Sequence, residues 1–173
     1  MKRLFMVLGT PLLLLFAAAL PAHAANPHFI QANAQLVGTN LTVSFKEAGL
    51  GNNQNIDYTA SADATATFVC VNRGGANPKA TNKRTITAPT SATGTFSSGN
   101  NGQVVASITI NPPGSGDFSC PSGQSLELAQ VSYTNVDITD DTNNVTQPIP
   151  GTFSTGCLLP NVRNACSAIT AWT

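Results

Sequence analysis

Charge is scarce in this chain of 173 residues: 9% of them are Asp, Glu, Lys or Arg, eight of each sign. Sparse and balanced charge removes the long-range field that draws a protein toward nucleic acid or anionic membranes. Histidine is scarcer still, with only His23 and His28. A Ser-His-Asp or Cys-His mechanism needs a base held by its neighbours, and His28 stands at the edge of the first patterned segment. No G-x-S-x-G context accompanies it. Aromatic residues make up 6% of the chain, with one Trp, at position 172, and two Tyr. Single-stranded nucleic acid is read by rings interleaved with basic residues, and that arrangement is missing. The four cysteines are separated by 49, 36 and 8 residues, without a C-x-x-C knuckle, which argues against zinc. No segment after the first 24 residues shows helical periodicity.

What is present is alternation. Ile56, Tyr58, Ala60, Ala62, Ala64, Ala66, Phe68 and Cys70 share one parity, and Asp57, Thr59, Ser61, Asp63, Thr65 and Thr67 share the other. Val69 is the only apolar intruder. Side chains of an extended chain point alternately to opposite sides, so this is a strand with one buried and one wet face. Its length, ~50 Å at ~3.3 Å per residue, predicts a bend, a bulge or a change of sheet. Upstream, Ile30, Ala32, Ala34 and Leu36 form the inward parity of a first strand, and Leu41, Val43 and Phe45 that of a second, joined by a Gly38-Thr39-Asn40 turn. Downstream, short strands are expected at 85–87 and 93–96. A tight turn is expected at Asn101-Gly102, and a strand over Gln103–Ile110 with Val104, Ala106, Ile108 and Ile110 together. From 126 to 139 the apolar phase slips twice, from Leu126 and Leu128 to Ala129, Val131 and Tyr133, then to Val136 and Ile138. Two slips predict bulges or a strand that changes sheets. Asp140 to Asn144 turns into a last strand ending near Phe153. Seven to nine strands with turn signals between them predict an all-β antiparallel β-sandwich. An immunoglobulin-like Greek key leads, with a jelly roll or barrel as alternatives. No Trp stands between Cys70 and Cys120, so the immunoglobulin signature itself is absent.

The first residues read as an export signal. Lys2 and Arg3 precede an apolar run, and Ala22-His23-Ala24 offers small residues at a cleavage site. The run is short for a bilayer core of ~30 Å. The expected organisation is a cleaved signal peptide (1–24), a β-sandwich domain (25–153) and a C-terminal tail (154–173), disulfide-closed or flexible. Without Lys2 and Arg3 the chain has six basic residues against eight acidic ones. Outside the membrane the cysteines oxidise. Of the three possible pairings, Cys70–Cys120 and Cys157–Cys166 are favoured, because the first two flank the regular region and the last two lie close together in the tail.

Three segments carry a resemblance. Cys70-Val71-Asn72-Arg73-Gly74-Gly75-Ala76-Asn77-Pro78-Lys79-Ala80-Thr81-Asn82-Lys83 is similar to a segment of small secreted proteins of soil bacteria such as actinobacteria. Phe118-Ser119-Cys120-Pro121-Ser122-Gly123-Gln124 and Ile149-Pro150-Gly151-Thr152-Phe153 resemble later segments there. The likeness covers roughly residues 26–153. It implies a secreted β-domain, and because no function attaches to that group it supplies no site residues.

Four basic residues, Arg73, Lys79, Lys83 and Arg84, fall within 71–84, where Gly74-Gly75 and Asn77-Pro78 predict an exposed loop. This is the candidate binding region, suited to an acidic polysaccharide or a cell-surface protein. Asp137, Asp140 and Asp141, with Asn143 and Asn144, offer hard oxygens for calcium, against the alternative that they close a hairpin. Tyr133 and the Thr and Asn side chains could bind carbohydrate, and the Thr59-Ser61-Thr65-Thr67 row resembles a flat hydroxyl array. For a hydrolase, Asp57 and Asp63 lie ~20 Å apart on one face, too far for a carboxylate pair, which leaves Glu127 with Asp137 or Asp117. A small-ligand carrier would need an apolar cavity over Ala60 to Ala66. The expectation is a secreted, monomeric, non-catalytic β-sandwich without cofactor, nucleic acid or membrane partner, binding or building at the cell exterior or matrix.

Overall fold

The computed structural model describes residues 26–72 and 82–166. The expected signal peptide, Arg73 and Lys79, and Trp172 lie outside the described residues. The described residues form eight strands: β1 His28–Val37, β2 Asn40–Ala48, β3 Asn55–Asn72, β4 Lys83–Ser97, β5 Gln103–Ile110, β6 Gln124–Asp140, β7 Val145–Ile149 and β8 Phe153–Ser154. They make two sheets, β1-β2-β5 and β4-β3-β6-β7, with β8 also beside β6. Every pairing is antiparallel. The two sheets face each other over one core, an all-β sandwich rather than a closed barrel.

Alternation sets the layers. Leu41, Val43 and Phe45 of β2 and Ile108 and Ile110 of β5 meet Ile56, Tyr58 and the alanines of β3 and Val131, Tyr133, Val136 and Ile138 of β6. Ala60, Ala64 and Ala66 have no exposed surface, and Ala62 only 4%. Phe29, Phe45, Tyr58 and Phe96 pack ring against ring at one end, with centroids 4.6 to 6.4 Å apart. The Tyr133 hydroxyl donates 2.8 Å to the Thr39 carbonyl, so this ring is a tie between the sheets and not a sugar contact. Gly38, at φ 64, opens the two-residue turn between β1 and β2, a backbone conformation that L side chains resist.

The long strand neither bends into a second sheet nor bulges. β3 runs 18 residues, paired along its length with β4 on one side and β6 on the other. The irregularities sit in its partner. β6 carries an extra residue between Thr134 and Asp137 and another between Leu128 and Gln130, which are the two phase slips. The first places Asn135 at φ 50, a left-handed conformation that Asn tolerates better than other side chains do. The second turns Ala129 away from the Val131 face, onto the outer side with Val69.

Other expectations need correction. β1 has its own shift between Phe29 and Gln31, so Ile30 is 52% exposed and Phe29 takes the inward place. The two short strands are one, β4, continuous through Pro89. It is a sheet edge, where a missing N–H costs no ladder bond if it points outward. The tight turn expected at Asn101-Gly102 is the end of a 3-10 turn, Gly99–Asn101, followed by Gly102 at φ 64, and it carries the chain between sheets. Buried Ser98 fixes it, donating 2.6 Å to the Gly51 carbonyl and accepting 2.9 Å from the Gln54 amide. The strand expected to end near Phe153 is two, β7 and β8.

Both disulfides are Cys70–Cys120 and Cys157–Cys166, and no cysteine is free. The first anchors the 111–123 link to the end of β3. The described part of the tail, 154–166, is disulfide-closed and lies on the larger sheet. Thr155 and Leu158 donate backbone bonds to the Val131 and Ala129 carbonyls, and Leu159, Val162 and Ala165 cover Val69 and Ala129. Val69, the intruder on the wet parity, is thereby fully buried.

Candidate functional site

The outer face of the five-stranded sheet, beyond the tail, is built from the wet parity of β3, β4 and β6. Its hydroxyls are mostly spent within the sheet. Thr65 meets Thr87 at 3.0 Å, Thr67 meets Thr85 at 3.2 Å, and Thr139 meets Thr146 at 2.9 Å. A row bonded in this way is cross-strand pairing rather than a free array. Four carboxylates accept further bonds: Asp141 from Thr59 at 2.7 Å, Asp57 from Thr95 at 2.6 Å, Asp137 Oδ1 from Ser61 at 2.8 Å and Asp63 Oδ2 from Asn135 at 2.8 Å.

Around the Asn135 bulge the face is hollowed. A depression of about 500 Å³ is lined by Ser61, Asp63, Pro89, Ser91, Asn135 and Asp137. A second, of about 330 Å³, adjoins it at Asn135 and Asp137 and runs to Pro148 and Gly151 on the β7 side. Asp63 and Asp137 each use one oxygen on a neighbour, and each carboxylate has about four acceptor positions. Held side chains with spare acceptors suit ligand hydroxyl or amine donors. The outer face of β1-β2-β5 has a third depression, about 390 Å³, lined by Gln31, Asn33, Ser44, Lys46 and Ser107 with Val105.

Of the basic segment, Val71, Asn72, Lys83 and Arg84 belong to strands rather than to a loop. Lys83 and Arg84 are the first residues of β4, opposite Val69 and Phe68, so their side chains leave opposite faces of the strand. Lys83 Nζ reaches the Asn164 carbonyl of the tail at 3.4 Å, and Arg84 is exposed. Nor does the expected calcium triad converge. Asp137 and Asp141 share the outer face, whereas Asp140 points inward, fully buried, and accepts from the Asn143 amide at 2.9 Å and from Asn143 Nδ2 at 2.7 Å. Hairpin closure is its role. Among the described residues no group of three or more His, Cys, Asp or Glu side chains is placed to hold a metal ion. Glu127 stands opposite Val69 and Asp137 opposite Ser61, eight positions along β3 or roughly 26 Å, so they cannot act as a carboxylate pair. His28 Nδ1 lies 2.8 Å from the Asn26 carbonyl on the exposed surface.

One polar cluster was missed by pattern reading. Glu47 continues the inward parity of Leu41, Val43 and Phe45, with no exposed surface. Neither of its carboxyl oxygens, nor the buried Tyr58 hydroxyl, makes a hydrogen bond of ordinary geometry among the described residues. Burial pushes the Glu47 carboxyl up to about 7. The Tyr58 hydroxyl opposes that shift, Asp140 adds to it, and His28 opposes it weakly. The Tyr58 hydroxyl is itself pushed far up, by burial first and then by Glu47 and Asp140. Burial also raises Tyr133, to about 12. The signal for Glu47 was available in the sequence, as a carboxylate standing in an apolar series at period two.

No protein-family profile, curated protein or solved structure matches this chain.

Proposed function

We propose that this is a secreted, non-catalytic, monomeric β-sandwich that binds a polyhydroxylated polymer of the cell exterior or matrix through the outer face of its larger sheet. The observation that carries the reading is the pair of adjoining depressions at the Asn135 bulge, with Asp63 and Asp137 tethered and still able to accept. The alanine face, where a carrier would keep its ligand, is filled by the opposing sheet. Two disulfides fit an oxidising compartment, and no helix among the described residues is long and apolar enough to cross a membrane. Export is further supported by the leader pattern and by the resemblance to small secreted bacterial proteins. The strand order 1-2-5 against 4-3-6-7 differs from an immunoglobulin constant-type sandwich only in placing the fourth strand on the second sheet, and we assign it to that Greek-key group. Hydrogen bonds net about 0.5–1.5 kcal/mol each, so with no aromatic ring among the described residues that line the hollow each contact is weak and retention depends on a repeating ligand.

A second reading rests on the basic end, where Lys83 and Arg84 are exposed and follow Arg73 and Lys79 in sequence. There an acidic polymer or a cell-surface protein is the partner. One experiment separates the two. Residues 25–173 are incubated with insoluble neutral and acidic polysaccharides at low and high salt, beside an Asp63→Asn/Asp137→Asn variant and one with Arg73, Lys79, Lys83 and Arg84 changed to Gln. Salt-insensitive retention lost in the aspartate variant supports the outer-face site. Salt-sensitive retention lost in the basic variant moves the site to the β4 start. No retention on any polymer refutes polymer binding.

A further inference from the structure

We propose that the Phe29 end of the sandwich is closed by a proton: Glu47 is carried as the neutral acid, donating to Asp140, and loss of that proton loosens this end. The geometry leaves the carboxyl little alternative. Glu47 is fully buried between Phe29 of β1 and Val104 of β5, its register partners, and neither oxygen finds a donor of ordinary geometry among the described residues. A buried carboxylate without a partner is strongly disfavoured, and such a group neutralises instead. Three titratable groups act on it. Tyr58 from β3 favours the charged form, Asp140 from the end of β6 favours the protonated form, and His28 from β1 is a weak positive influence. β5 carries no ionisable side chain. The Asn143 amide and side chain already hold Asp140, so the pair sits where the β6–β7 turn meets the other sheet.

The direction of the consequence is opposite to ordinary acid denaturation. With a midpoint of about 7 when folded against 4.5 when unfolded, the folded chain holds more protons across that window. The stability that Glu47 contributes is therefore greatest on the acidic side and is lost as pH rises from 4.5 through 7. Between pH 5 and pH 8 this one group raises the unfolding constant roughly 70-fold.

Two measurements on residues 25–173 test this. The chain has two glutamates, Glu47 and Glu127. In a carboxyl-carbon NMR titration of glutamate-labelled protein, one should titrate near 7 and survive Glu127→Gln, and Asp140→Asn should move its midpoint down. Urea unfolding at pH 5, 6, 7 and 8 should show the loss of stability, and Glu47→Gln, a neutral isostere, should flatten it. Both glutamates titrating near 4.5 overturns the proposal, as does an unchanged slope in Glu47→Gln. If that variant fails to fold, the titration of the unmodified chain decides alone.

Discussion

Replacing either cystine with alanines separates what the two bridges do. Cys70 and Cys120 are 50 residues apart, Cys157 and Cys166 only 9. Chain entropy assigns ~4 kcal/mol to the longer loop and ~2.7 kcal/mol to the shorter, through the freedom each denies the unfolded chain. Structure adds a term to the shorter one. The tail it ties down is the cover over Val69 and Ala129, and exposing a buried Val costs about 1.5–3 kcal/mol. If the tail stays docked, Cys157→Ala/Cys166→Ala costs about 2.7 kcal/mol, and if it lifts, 4 or more. Urea unfolding of the two double variants gives the totals. With a slope of about 1.5 kcal/mol/M, loss of the longer bridge moves the midpoint by roughly 2.7 M. Amide exchange gives the location, because Thr155 and Leu158 donate to Val131 and Ala129. The expected result is fast exchange at those two amides in the short-bridge variant, with β2–β5 amides unchanged. Unchanged protection at Thr155 and Leu158 would show that the bridge does not hold the tail. Equal or greater loss from the short bridge with the tail still docked would refute the entropic assignment.

Other substitutions probe the core and the hairpin. Ala64→Leu inserts three heavy atoms where the side chain has no exposed surface and should cost at least 1–3 kcal/mol in urea unfolding; a neutral result would mean that the alanine face has slack. Tyr133→Phe removes the bond to the Thr39 carbonyl and should cost about 1 kcal/mol, with faster exchange in the β1–β2 turn. Asp140→Ala strips two acceptor contacts from Asn143 and should cost about 2–3 kcal/mol near neutral pH, with loss of protection confined at first to the β6–β7 hairpin.

Much of the sandwich was legible because the side-chain period of a strand is two. The inward face of β3 was read residue for residue, and the slips in β6 were visible as slips. Their kind was not, because an extra residue in one strand and a strand crossing between sheets give the same break in phase. β4 was read as two fragments, 85–87 and 93–96, on either side of Pro89, and only its place at the sheet edge makes the proline harmless. Ile30 was assigned inward because the β1 shift leaves no trace in five or six residues. The candidate binding site was poorly legible for another reason. Its hollow is created by Asn135 pushing out of register, and its acids, Asp63 and Asp137, come from strands more than seventy positions apart in sequence.

The same physics narrows where function resides. An interior lined by Ala60, Ala62, Ala64 and Ala66 lets the facing sheet approach, so the fold spends its inner volume on packing. The wet parity then divides into threonines, which bond across strands and leave little for a ligand, and aspartates, which take one hydrogen bond and keep capacity for others. Where the strands are in register those aspartates lie on a flat surface. At the Asn135 bulge the pleat is broken, the face sinks, and Asp63 and Asp137 come to line one hollow. A site formed by an irregularity in one strand is sensitive to that strand alone. Deleting Asn135, which restores register between β3 and β6, should therefore abolish polymer retention while leaving the fold as stable or more so. Retention that survives the deletion would place the binding surface elsewhere on the molecule.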